Sequence, residues 1–240
     1  MGIDYTKRPS SGAQSGDGQA GGQAAGGAPV SLSKVTLTKA APSVSLTKQG
    51  SVGGTMRVNL NWNARPAGTP ASGGFFKRAM GGGSGAIDLD LGCLYEFSDG
   101  TKGAVQALGN AFRDRNQFSQ NPIIWLDGDD RSGTNQAGEN LHIDLSDVSR
   151  IRRIMVFAFI YDGVPNWAAA DGVVTLFPVS GPQIEVRLDE HAASSSMCGI
   201  AMLENVGGEL SVRREVRYVG GHRDLDQAYG WGMNWTAGRK

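Results

Sequence analysis

The chain has 240 residues, enough for one fairly large domain or two small ones. Its 23 basic residues balance 23 acidic ones, which argues against a general nucleic-acid binder, since such a protein carries a basic surplus on one face. Its two cysteines, Cys93 and Cys198, lie in apolar segments without an export signal, so they read as reduced core thiols.

The N-terminus lacks the apolar stretch of a signal peptide. Gly2 and Thr6 match the loose myristoylation pattern, which is short enough to occur by chance. Gly12 to Pro29 is almost wholly glycine, alanine, glutamine and serine, too little apolar surface to offset the entropy of ordering. Residues 1–29 are therefore read as a disordered N-terminal segment and linker, and residues 30–240 as one β-rich domain. Within it, Thr55 to Trp62 alternates polar and apolar, placing Met56, Val58, Leu60 and Trp62 on one face of a strand. Pro66 to Gly85 is a Gly/Pro/Ser loop carrying Phe75 and Phe76. Ile87 to Leu91 alternates again, so Ile87, Leu89 and Leu91 face a core while Asp88 and Asp90 project from the other side. Asp99 to Gly103 reads as a tight hairpin turn.

Further along, the short basic clusters Arg150/Arg152/Arg153 and Arg213/Arg214/Arg217 read as strand alternation or a solvated face. Ile154 to Tyr161 is apolar on both faces, which predicts a central strand covered on both sides, and is far too short to span a bilayer as a helix. Val173–Phe177, Ile184–Asp189, Met197–Leu203 and Glu215–Val219 complete a set of short strands punctuated by Gly, Pro, Asn and Asp. Asp224 to Tyr229 is the one short helix, with Trp231 and Trp235 behind it as a packing anchor. The expected fold is all-β with a minor helix: a two-sheet antiparallel β-sandwich with long Gly-rich loops.

The most informative stretch is Ile124 to Leu141. It gathers Asp127, Asp129, Asp130, Glu139, Asn135, Asn140, Ser132 and Thr134, with Gly128, Gly133 and Gly138 to let the backbone turn. Hard cations such as calcium take six to eight oxygen ligands of these kinds. Counting from Asp127, the fifth position is Arg131, the sixth Ser132 and the twelfth Gly138, so the loop is not an EF-hand. Any cation must sit between strands, and the like charges of Asp88 and Asp90 supply a second acidic wall. Taken alone, those two read as solvated surface residues.

Other chemistry lacks an anchor. His142, His191 and His222 are scattered, without zinc-ligand spacing. No phosphate-cradling Gly-x-x-x-x-Gly-Lys-Ser/Thr run occurs, and no Gly-x-Ser-x-Gly nucleophile elbow. A carboxylate pair for glycoside hydrolysis is the weaker reading, since nothing marks one acid for a raised pKa. The alternative is a calcium-dependent carbohydrate-binding or hydrolytic β-sandwich, with Trp125, Trp167, Trp231 and Trp235 stacking on sugar. A third reading is a membrane-docking calcium module with Phe75-Phe76-Lys77-Arg78 at its tip.

Several motifs resemble the TerD-like tellurium-resistance family, most closely its TerA-type branch: Ile87-Asp88-Leu89-Asp90, Tyr95 to Gly103, Val105 to Asn110, the loop Leu126 to Leu141, and Gly220 onward to Trp235. The repeated Val30-Ser31-Leu32-Ser33-Lys34 and Val44-Ser45-Leu46-Thr47-Lys48 resembles the family's opening strands. The resemblance covers roughly residues 30–240. It implies a cytoplasmic, non-enzymatic, calcium-binding stress-response protein, working in assemblies with other TerD-like proteins and, for some members, a membrane partner. Neither nucleic acid nor direct membrane insertion is expected, and an oligomer stays open. The implied ligands are Asp88, Asp90, Asp127, Asp129, Asp130, Ser132, Thr134, Asn135, Gly138, Glu139 and Asn140. Relative to the common form of the loop, Asp130 stands for asparagine, and Glu139 and Asn140 for two aspartates. The carboxylate gained at Asp130 offsets the one lost at Asn140, so the total ligand charge, which tunes calcium affinity, is conserved, and the number of cations, one or two, stays open.

Overall fold

The computed structural model describes residues 33–63, 87–127, 138–162, 167–188, 192 and 194–236, all within one compact unit, Leu32–Lys240. The N-terminal segment, the Gly/Pro/Ser loop with its Phe75–Arg78 tip, and the middle of the acidic loop lie outside these residues.

Among the described residues, twelve strands form two six-stranded sheets. The first contains β1 (Lys34–Thr36), β3 (Thr55–Asn61), β6 (Ile124–Leu126), β7 (Glu139–Asp144), β9 (Gly172–Phe177) and β10 (Gln183–Leu188), in the spatial order β1-β10-β9-β3-β7-β6. The second contains β2 (Ser43–Ser45), β4 (Asp88–Phe97), β5 (Lys102–Gln106), β8 (Ile151–Asp162), β11 (Met197–Val206) and β12 (Glu209–Val219), in the order β2-β12-β11-β8-β4-β5. All described pairings are antiparallel except β1 with β10. The two repeated Val-Ser-Leu segments lead to different sheets, since β1 and β2 each close an edge.

Alternation decides which side chains face inward. Met56, Val58 and Leu60 of β3 are buried, as are Ile184, Val186 and Leu188 of β10. They meet Leu89, Leu91, Cys93, Tyr95 and Phe97 of β4 in the core between the sheets. Strand β8 is central and covered on both sides. Ile154, Val156 and Ala158 enter the inter-sheet core, while Met155, Phe157 and Phe159 enter a second core on the outer face.

That outer core is closed by helix α2 (His222–Tyr229) and the tail behind it; a shorter helix, α1 (Trp167–Ala170), precedes β9. Leu225 and Trp231 pack on the outer face with Leu94 and Met197. The Trp231 indole donates to the Tyr95 carbonyl at 3.2 Å, and the Arg153 guanidinium lies 3.9 Å above its ring. Helix α2 begins two residues before the segment expected from sequence, because Gly221 supplies its entry.

The arginine clusters are built into the fold. Glu96, almost fully buried, takes Arg152 at 2.6 Å and Arg153 at 2.7 Å. Arg150 pairs with Asp147, Arg213 with Glu215, and Arg217 lies over the Tyr229 ring. Both cysteines are buried free thiols, and burial pushes the Cys93 thiol well above its ordinary range. No helix among the described residues is long and apolar enough to cross a membrane.

Candidate metal centre

The acidic loop is the connection of the β6–β7 hairpin. Leu126 pairs with Leu141, and the Asp127 amide donates to the Asn140 carbonyl at 3.2 Å, closing the loop at its base. The acidic segment therefore connects two strands, not two helices. Asp129, Asp130, Ser132, Thr134 and Asn135 lie outside the described residues; the other six candidates are placed.

Asp88 and Asp90 stand on β4 opposite Asp162 and Phe159 of β8. Alternation turns them away from the inter-sheet core, as expected, yet they are not a solvated pair. Asp90 is 0% exposed and Asp88 is half-buried. A carboxylate removed from water to that degree must be compensated in place by charge or hydrogen bonds. Trp62, just past β3, donates its indole N–H to the Ile87 carbonyl at 2.9 Å, which ties the end of β3 to the threshold of β4.

Glu139 opens β7 and is 4% exposed. Its Oε2 accepts from the Leu91 amide at 2.7 Å. Glu139 belongs to one sheet and Leu91 to the other, so this carboxylate links the sheets one residue along from Asp90. Strand β5 pairs with β4 only from Gly92 onward, which leaves the Leu91 amide available for it. Gly138 precedes Glu139 with a φ of 69°, and a Cβ there would overlap the Leu60 carbonyl oxygen. Only glycine passes that point, and it aims the glutamate inward.

The remaining placed candidates face elsewhere. Asn140 lies on the outer face of the first sheet, where its Oδ1 accepts from Arg57 at 3.0 Å and Asn59 at 2.9 Å. Asp127 is exposed, and its Oδ1 meets His142 Nε2 at 2.7 Å in a contact that lacks the alignment of a hydrogen bond. His142 in turn stacks on Trp125, with centroids 5.2 Å apart and planes 14° from parallel. Among the described residues, no three His, Cys, Asp or Glu side chains cluster as a metal site. The structure places Glu139 on the Leu91 amide, one residue along β4 from Asp90, and sets Asp127 and Asn140 against the sheet surface.

Arg57 and Asn59 escaped the sequence reading, and His142 entered it only as a scattered histidine. The period-2 spacing of Asn140, His142 and Asp144 carried a signal, since it puts all three on one strand face. Their partners across β6 and β3 are visible only once the strands are paired. Two of the four tryptophans proposed for sugar stacking are structural: Trp167 and Trp231 are buried, with indole N–H groups bonded to the Ser195 and Tyr95 carbonyls.

Fold and site together define a two-sheet β-sandwich with an acidic hairpin loop at one end, where a glutamate joins the sheets. No family model matches the chain. The tellurium resistance protein TerA of an Alcaligenes species is 44% identical over 211 residues, which cover 88% of this chain and 60% of that protein. Over that span the chain is similar to a tellurium-resistance protein, of whose length it covers 60%. A crystal structure of a homologue of the telluride resistance protein TerD, from Streptomyces coelicolor A3(2), aligns with a TM-score of 0.49 at 18% identity, over 72% of this chain and 94% of that one.

Proposed function

We propose that the chain is a calcium-binding, non-enzymatic scaffold of tellurium resistance and stress response, working in the cytoplasm with other TerD-like proteins. The observation that carries the calcium reading is the position of Glu139. It is a buried carboxylate at the foot of an acidic loop, bonded to the backbone next to Asp90. Hard oxygen donors fit calcium, and the soft or nitrogen donors that zinc prefers are not gathered there. Asp90 and Glu139, with Asp88 beside them on β4, would form the fixed side of the site, and oxygens of the loop between Asp127 and Gly138 would complete the ligand set. A bound divalent cation would supply positive charge to buried carboxylates. Glu139, held by Leu91, would transmit that stabilisation to both sheets.

Binding to the folded state alone stabilises by RT ln(1 + [Ca2+]/Kd), about 2.7 kcal/mol at a hundredfold excess over Kd. For a domain of this size that corresponds to a rise in melting temperature of roughly 5–11 °C. Thermal unfolding of the full chain with calcium and with chelator should show that rise, and Asp90→Asn or Glu139→Gln should remove most of it. An identical melting temperature in calcium, magnesium and chelator rejects the metal reading. Native mass spectrometry on the same samples reads cation number and assembly state together.

A further inference from the structure

On the outer side of the second sheet, a cleft of about 1180 Å3 opens between the β4–β5 hairpin, the segment after β5, and the start of helix α2. It lies outside the acidic loop and shares none of its candidate ligands. Its lining is basic. Arg113 and Arg115 alternate on either side of Asp114, both exposed and both on the wall, and Arg223 from the first turn of α2 stands on it as well.

These charges are not consumed by the fold. Asp114 turns inward, where its Oδ2 takes the Ile123 amide at 2.6 Å and the Ile124 amide beside it, and its Oδ1 takes Asn116 at 2.9 Å. Among the described residues, neither Arg113 nor Arg115 has a carboxylate within ion-pairing distance, and Arg223 bonds only the Trp235 carbonyl at 3.2 Å.

The floor is preformed. His222 Nε2 sits 2.7 Å from Gln106 Oε1, with the rings of Phe157 and Phe159 edge-on to it and that of Trp235 tilted against it. Burial holds the His222 imidazole below its ordinary pKa, so near neutrality it is an uncharged, fixed polar wall. Trp235 is held by its indole N–H to Asp226 at 2.8 Å, and Asp226 also takes the Gly232 and Met233 amides. At the mouth, Gly220 and Gly221 lead into α2, whose first turn has no side-chain cap from Gly221. Two acids also line the cleft: Asp114, whose carboxylate is taken up by backbone amides, and Asp224, exposed, which folds its carboxylate back over Gly220.

We propose that this cleft binds a small phosphate monoester, its phosphoryl group held by Arg113, Arg115 and Arg223 and its organic part against Trp235. Guanidinium forks match the geometry of phosphate oxygens, and a helix N-terminus adds to the attraction. The volume is somewhat larger than the ~300–1,000 Å3 of most small-molecule sites, so a ligand with an organic part beyond the phosphoryl group fits.

Titration calorimetry of the full chain with phenyl phosphate tests the assignment, with phenol and inorganic phosphate as separate arms. Saturable binding of phenyl phosphate is expected, tighter than inorganic phosphate, with no binding of phenol. The exposed double variant Arg113→Glu/Arg115→Glu should lose this binding while keeping the parent melting temperature. Arg115→Ala should weaken it roughly tenfold, the loss of one charge-assisted contact. Asp224→Asn should strengthen it. The proposal is overturned by the absence of saturable heat at millimolar phenyl phosphate, by equal binding of phenol, or by binding that survives the charge reversal. Calcium-dependent melting is read separately, so failure here leaves the metal centre standing and failure there leaves this cleft standing.

Discussion

Gly138 shows how much one position can control. With φ at 69° and the Leu60 carbonyl against it, the backbone admits no side chain, and the buried carboxylate of Glu139 follows at once. Gly138→Ala combines a left-handed conformation with an overlap. It should cost about 1–3 kcal/mol in urea unfolding and also shrink the calcium-dependent rise in melting temperature. Cys93 and Tyr229 make a second prediction at this scale. Burial raises the pKa of both, and Glu215, which accepts the Tyr229 hydroxyl at 2.9 Å, adds to the effect at Tyr229. In the unfolded chain they lose protons near their ordinary values of 9.0 and 10.0, before the folded forms do. Stability contributed by the protonated groups is therefore intact below pH 9 and declines as pH rises beyond it. Urea midpoints measured from pH 7 to 10.5 should fall across the upper part of that range. Ellman's reagent should reach neither cysteine until the chain unfolds.

Among the elements, helix α2 and its tail act as one unit. Asp226 gathers the Gly232 and Met233 amides and the Trp235 indole, and Trp231 inserts beneath Arg153. Without them Met155, Phe157 and Met197 would line an open sheet face. Trp231→Ala should cost about 3–5 kcal/mol, in the range of aromatic deletions from a core. Because Trp231 and its neighbours lie on the outer face, hydrogen exchange should show the loss first in α2 and the adjoining part of β11. Strands β3 and β7, across the inter-sheet core, should keep their protection. Trp231→Phe keeps most of the volume but leaves the Tyr95 carbonyl without its indole donor, and should fall between the two proteins.

At the scale of the whole molecule, the two sheets share an apolar interior and, at one end, a polar joint. Lys34 and Glu185 pair β1 with β10 within a sheet, as do Lys48 and Glu209 beside β2 and β12. Glu139 reaches across to the Leu91 amide of the opposing sheet. A cation at that joint would act on both layers at once. The calcium titration is therefore expected to shift the single melting transition of the domain, leaving no separate loop transition behind.

Period-2 alternation in Thr55–Trp62 and Ile184–Asp189, and its absence in Ile154–Tyr161, were enough to place half-buried strands, a doubly covered central strand and hence a sandwich. Alternation is a local property, and the sheet face follows from it. The clustering of oxygen donors between Ile124 and Leu141 likewise marked the loop, because turn residues and ligand types adjoin in sequence. Alternation also predicted which way Asp88 and Asp90 point, but not that Asp90 would be sealed from water. Burial depends on what a distant strand lays over a residue. Only the folded chain decided that Glu139 would leave its loop for the Leu91 amide of the other sheet, and that Asn140 would be taken up by Arg57 and Asn59. Only it drew Arg113, Arg115 and Arg223 onto one cleft from segments more than a hundred residues apart. Those outcomes rest on strand order and register, which bring together groups that no local pattern connects.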